Sequence, residues 1–363
     1  LEAFFDNALK TGIEKYHIPN ATVSVVKDGQ VVYKKGFGFT DINTGVPVDA
    51  DKTLFRIGST SKLITWTAVM QLVEAGVLDL NTDINTYLDF EIPSQLNKSL
   101  KVTTIEPITL THLMTHTSGF EDNSNVLFRI SQDKLIPLDE YIKKYLPERI
   151  FPAGKVAAYS NYSTALAGYI VERVTGKAFS NYVNENIFKP LDMQHSTFLQ
   201  PPHPDLAANI ATPYRFVNGQ YLEGSFEYLV PEPAGSMSTT SSDMANFMIS
   251  HLSGGIYNGN RILKEETVAK MHKQHFTHDP GLGGMTLGFM EGVFNDKRVL
   301  FHGGSTMLYS TGLYLIPEEN IGIFISYSGS GNLFHSEIFQ AFMDKYYPVK
   351  TVKTTVPGEE SRI

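Results

Sequence analysis

Residues 21–41 read ATVSVVKDGQVVYKKGFGFTD. Two β-branched runs flank Asp28-Gly29, a pair that favours a two-residue hairpin turn because both positions accept positive φ. The stretch therefore predicts antiparallel strands near 21–27 and 30–38. Strand character returns late in the chain, in GMTLGFME (284–291), KRVLFHGG (297–304), STGLYLIP (310–317) and NIGIFISYS (320–328). Pro317-Glu318-Glu319-Asn320 makes the turn between the last two. Helical spacing predicts helices at 3–17, 63–76, 109–116, 137–145, 163–175, 179–188, 241–252 and 332–347. Hairpins at both ends, without βαβ alternation, argue for an antiparallel sheet closed by the two termini. The expected class is α/β in the α+β sense, an antiparallel sheet flanked by helices plus a helical subdomain. One catalytic domain is expected over 1–350, its sheet part about 1–58 and 256–350 and its helical part about 59–255. TVKTTVPGEESRI, residues 351–363, reads as a polar linker or tail.

Composition narrows the function classes. The chain has 363 residues, 42% hydrophobic and 19% charged, as in an ordinary globular protein able to bury a sizeable core. A net charge of −8 argues against a nucleic-acid binder that works by phosphate neutralisation. With no cysteine, disulfides, thiolate catalysis and Cys-ligated metals are excluded. No run of 18 apolar residues marks a membrane-spanning helix in this chain. The chain starts at Leu1, which leaves a removed signal peptide and a trimmed start both open.

Three segments carry chemistry. FRIGSTSKLITWTAVMQLVEAG holds Ser59 and Lys62. Ser-x-x-Lys also occurs at Ser24…Lys27 and Ser131…Lys134. In a strand, residues three apart point to opposite faces, which removes the first of these. Pro137 follows closely on Lys134 and leaves no helix there, which removes the second. Ser59 instead precedes a long, nearly all-apolar helix, where positions i and i+3 share a face. A buried Lys62 loses proton affinity there and can act as a base on the Ser59 hydroxyl. AAYSNYSTALAGYIVERVTG places Tyr159 and Asn161 in a loop before a helix. A loop Tyr near a cation is expected to have a lowered pKa and to shuttle protons, while an Asn amide can grip a substrate carbonyl. RVLFHGGSTMLYSTGLYLIP puts His302, Gly303, Gly304 and Ser305 at the end of a strand. Glycines there let a ligand or another backbone approach, and the N–H groups of Ser305 and Ser59 could form an oxyanion hole.

In this order the three segments resemble the penicillin-recognising serine hydrolases. The branch is that of class C β-lactamases, D-Ala-D-Ala carboxypeptidases, D-aminopeptidases and lactamase-like (family VIII) esterases. LTHLMTHTSGF, GYIVERVTGKAFSNYVNENIFKPLDM and PAGSMSTTSSDMANFM look similar too, and the resemblance covers about residues 5–347. It implies a β-lactamase/transpeptidase-like fold with the active site in the cleft between sheet and helical parts. By the same resemblance Ser59 is the acylated nucleophile, Lys62 its activator and Tyr159 a general base or relay for deacylation. Asn161, His302, Gly303, Gly304 and Ser305 would bind substrate. His302 stands where class C lactamases carry Lys, which weakens the case for efficient β-lactam hydrolysis. Were His302 an imidazolium, carboxylate substrates would acylate faster as pH falls through about 6.5.

The resulting expectation is a cofactor-free serine hydrolase of the D-Ala-D-Ala carboxypeptidase or penicillin-binding type. Its partners would be small molecules or peptides: a cell-wall-type D-peptide, a β-lactam or an ester. A promiscuous esterase, a weak β-lactamase and a non-catalytic penicillin-binding sensor are the alternatives. An extracytoplasmic or secreted location is expected, any tether lying outside this chain. His112 and His116 have a zinc-compatible spacing but lack the neighbouring Glu of a metalloprotease, so they read as helix packing under the site. His272, His275 and His278 read as a solvated helix face.

Overall fold

The computed structural model describes residues 1–93, 106–329 and 333–349. The residues read above as a tail, 351–363, lie outside that set, as do residues 332 and 350. The first helix, α1, runs Glu2–Tyr16. Strands β1 (Asn20–Lys27) and β2 (Gln30–Asp41) follow, joined at Asp28 and Gly29, whose φ values are 51° and 76°. This is the primed turn that the Asp-Gly pair favours. The short β3 is Val46–Pro47. The late strands are β4 (Met290–Phe294), β5 (Lys297–Ser305), β6 (Tyr309–Ile316) and β7 (Ile321–Ser328). Together they form a seven-stranded sheet in the order β4-β5-β6-β7-β1-β2-β3. Its ladders are antiparallel, and β1 meets β7 from Ala21–Tyr327 to Lys27–Ile321, so the two chain ends close the sheet.

Strand β4 differs from expectation, beginning at Met290 rather than near 284. Gly288 takes φ +109° and lies against Trp66, and Thr286 N–H bonds Phe289 O at 2.9 Å. That tight turn occupies the residues whose composition looked strand-like.

Both faces of the sheet are covered. On one, Phe5 and Leu9 of α1 and Phe334, Ile338, Phe339 and Phe342 of the closing helix Phe334–Tyr346 cluster with Val23, Val25, Ile323 and Ile325. The other face meets the helix Ser241–Leu252: Thr22 Oγ1 donates to Ser241 Oγ at 2.7 Å, and Gly322 sits under Met248. The larger core surrounds α2 (Lys62–Glu74), where Ile64, Trp66, Ala68, Val69 and Met70 are all fully buried. This all-round burial matches a helix apolar on every side. Helix α3 (Asn161–Thr175) packs against α2.

Candidate active site

Ser59 lies in a 3-10 turn, Gly58–Ser61, that runs directly into α2. The turn is tied down on two sides. Phe55 and Arg56 pair with Thr239 and Ser238, and Ile57 N–H bonds Met237 O at 3.1 Å. On the other side it meets the end of β5. Strand β4 pairs only with Lys297–Phe301, so the edge of β5 from His302 onward stays open to the turn. A Cβ built on Gly304 would overlap Ile57 O, so only glycine allows this approach. A Cβ on Gly58 (φ +51°) would come within 2.8 Å of Ser305 N. The turn and Ser305 are thus in backbone contact, which sets the expected oxyanion donors, Ser59 and Ser305, on neighbouring segments. Gly303 meets nothing closer than 4.0 Å at its Cβ position.

Lys62 is fully buried at the first position of α2. Its Nζ donates to Ser59 Oγ (3.0 Å), Asn161 Oδ1 (2.8 Å) and Ala234 O (2.6 Å), which uses all three N–H directions of an ammonium. Burial lowers its pKa to about 7, with Asp122 pulling the other way. Ala234 belongs to a short helical turn, Glu232–Gly235, held by Thr65 Oγ1 donating to Pro233 O at 2.7 Å.

Tyr159 immediately precedes the N-cap Ser160 of α3, whose Oγ accepts from Ser163 N–H at 3.1 Å. Ser59 is near enough to the Tyr159 hydroxyl to pull its pKa down somewhat, and Lys62 Nζ lies 5.0 Å from the centre of its ring. The ring keeps 36% exposure in the cleft, but protein surrounds the hydroxyl and raises its pKa above the usual phenol value. The expected lowering by a neighbouring cation is absent because desolvation dominates and Lys62 itself loses charge easily. Tyr159 is a phenol that can pass a proton on, not a standing phenolate.

Asn161 is fixed in orientation. Its Nδ2 and backbone N–H both donate to Asp122, each at 2.9 Å, which turns its carbonyl to Lys62. In this arrangement one amide N–H is committed to Asp122 rather than to a ligand. Asp122 and Ala234 escaped the sequence reading, since both are loop or turn residues brought in from distant parts of the chain.

His302 departs most from expectation. It is buried, and burial together with nearby Lys62 lowers its pKa to about 4. It is therefore neutral at ordinary pH, and the imidazolium reading is corrected. Its Nδ1 lies 2.7 Å from Gly303 O, which can only accept, so the proton sits on Nδ1 and Nε2 is a bare acceptor. His116 has the complementary tautomer. Ser160 N–H donates to its Nδ1 at 3.2 Å, so its proton sits on Nε2. The two rings flank Tyr159, with centroids 4.4 Å (His116) and 6.3 Å (His302) from its ring, and both Nε2 atoms are buried without a partner. His116 thus lines the site, whereas His112 Nδ1 only accepts the Thr109 N–H at 3.2 Å.

The other histidines are dispersed. His272 is paired with buried His251 (3.3 Å) instead of lying on a solvated face, and His278 Nε2 accepts from Ala157 N–H at 3.2 Å. Among the described residues no group of three or more His, Asp or Glu could hold a metal ion, and no helix is long and apolar enough to cross a membrane.

Comparison with known proteins agrees with this geometry. A family profile described as β-lactamase matches residues 5–338. A β-lactamase from Yersinia enterocolitica is 30% identical over 281 residues, across 77% of this chain and 67% of that protein. Protein flp of Staphylococcus aureus is 24% identical over 325 residues, covering 88% of this chain and 61% of flp, so the chain spans about three fifths of that relative's length. An octameric penicillin-binding protein homologue from Pyrococcus abyssi has the same fold, with a TM-score of 0.78 at 23% identity over 94% of this chain and 76% of that one.

Proposed function

The chain belongs to the β-lactamase family, and we propose that it is a serine hydrolase that forms an acyl-enzyme on Ser59, its substrate an amide or ester of the D-Ala-D-Ala carboxypeptidase class. The observation that carries this reading is the fully buried Lys62 Nζ, 3.0 Å from Ser59 Oγ with its pKa lowered to about 7. An amine with that pKa is substantially neutral at physiological pH and can take the Ser59 proton. Ser59 Oγ then attacks the substrate carbonyl, and the N–H groups of Ser59 and Ser305 receive the developing oxyanion. The proton moves from Lys62 through the Tyr159 hydroxyl to the leaving group. In the second half a water gives its proton to the same relay and releases the acyl group, returning Ser59. The site lies on an extracytoplasmic protein in this reading.

The neutral His302 supports a second reading, a lactamase-like esterase. Without a cation at that position, a substrate's carboxylate gains little over a neutral ester. Turnover of D-Ala-D-Ala peptides, a short-chain nitrophenyl ester and a chromogenic cephalosporin, each with Ser59→Ala as control, separates the two. Peptide release dependent on Ser59 supports the carboxypeptidase reading, and ester turnover alone supports the esterase. Activity that persists in Ser59→Ala removes both.

A further inference from the structure

A cavity of about 320 Å³ opens beside the end of β5. Arg129, Ile130, Arg215, Leu222, Phe226 and Met307 line it. Three chain segments tie it to the active site. Met307 lies two residues beyond Ser305, the expected oxyanion donor. The segment that leaves Asp122 reaches Arg129, where Phe128–Arg129 pairs with Tyr228–Leu229. Leu229 in turn packs against Gly235, next to the Ala234 carbonyl that holds Lys62.

The cavity has two characters at once. Its apolar rim is unusually open: Ile130 is 83% exposed, Met307 51% and Leu222 50%. Large apolar side chains left in water beside a cleft mark a surface that a ligand covers. Two of its lining residues, Arg129 and Arg215, are guanidinium cations. Among the described residues neither Arg129 nor Arg215 has a carboxylate partner. Arg129 is oriented by Nη1 donating to Phe128 O (2.8 Å) and Val126 O (3.3 Å), with its other guanidinium donors left over. Arg215 stands directly across from Leu222 in the small hairpin Tyr214–Val217 and Gln220–Glu223, so cation and apolar surface share one face. Of the two glutamates in the lining, Glu227 is buried with its carboxyl oxygens taken by Thr306 Oγ1 and Met307 N–H, and Glu223 lies on the small hairpin opposite Tyr214, neither, among the described residues, within ion-pair distance of an arginine.

We infer that this cavity is the subsite for the acyl part of the substrate, and that it selects an acyl group with an apolar body of a few carbons ending in a carboxylate. Arg129 and Arg215 would grip the carboxylate in the forked geometry that guanidinium favours. Phe226, Leu222, Ile130 and Met307 would cover the carbon chain. The assignment rests on Ser59 being the acylated residue, but it can be read without turnover.

The test uses the Ser59→Ala protein and calorimetric titration with two inert amides of matched length, the mono-anilide of adipic acid and hexananilide. The expected result is tighter binding of the anionic amide by about tenfold or more. Arg129→Gln/Arg215→Gln should remove that preference, and Arg215→Gln alone, an exposed change that leaves the fold untouched, should reduce it. Equal affinity for the two amides, or a preference that survives in the double variant, overturns the inference. Failure of Ser59 to acylate in the wild type would remove the proposed function without altering this comparison, so the two failures are distinguishable.

Discussion

Lys62 combines burial with the first position of a helix, where the positive end of the helix dipole also disfavours an ammonium. Its pKa of about 7 sets the acid limb of activity. The rate constant for acylation by a neutral nitrophenyl ester should rise about tenfold between pH 6 and pH 8 as Lys62 loses its proton. His302, neutral above about 4, adds no second limb. A penicillin and a neutral ester should therefore show acylation profiles of the same shape from pH 5 to 9. A penicillin-specific rise towards acid would restore the imidazolium. Asp122 fixes Asn161 without touching the nucleophile. Asp122→Ala should free the Asn161 amide and lower kcat by about 10- to 100-fold through misplacement of Lys62, with the secondary structure unchanged in circular dichroism. Ser59 and Lys62 could be read from sequence because one helical turn joins them. Asp122 and Ala234 could not, because their contacts with Asn161 and Lys62 exist only after α2, α3 and the Glu232–Gly235 turn pack together, and His116, read as packing under the site, shows its place beside Tyr159 only in the folded chain.

The end of β5 and the Glu232–Gly235 turn decide how the site is held. Gly304 lies so close to Ile57 O that any Cβ forces the strand and the Ser59 turn apart, whereas Gly303 has open space. Gly304→Ala should lower Tm by several degrees, and Gly303→Ala should leave it nearly unchanged; equal losses in thermal melts would contradict this packing. Both glycines were legible as places of close approach, but which one touches the turn depends on register. The turn that carries Ala234 also carries half-buried Glu232, whose Oε1 is buried without a partner and whose pKa is raised from 4.5 to about 8 by desolvation and by Glu172. Between those two values the folded state binds more protons than the unfolded one. Stability is therefore lost as pH rises from about 4.5 through about 8. Glu232→Gln should flatten the fall in Tm over that range. A slope identical to wild type would place the titration elsewhere.

Across the whole molecule, two chain ends build one sheet and the middle supplies most of the helical part, with the cleft where the Ser59 turn, α3 and β5 meet. The Asp28-Gly29 turn and the late hairpins made this architecture legible, because each depends on neighbours in sequence. Three features needed tertiary contacts. The helix Ser241–Leu252 packs on the sheet, β4 starts after a glycine turn seated on Trp66, and His272 turns inward to His251. The same global arrangement brings Ser59, Lys62, Tyr159 and His302 together from three separate stretches of chain, and the account stands or falls on Ser59 being the group that reacts. Intact-mass spectrometry after incubation with a penicillin tests this most directly. The wild type should gain the mass of one penicillin, located on Ser59 by peptide mapping, and folded Ser59→Ala should gain none. Equal labelling of the variant, or an adduct mapped to any other residue, would contradict it.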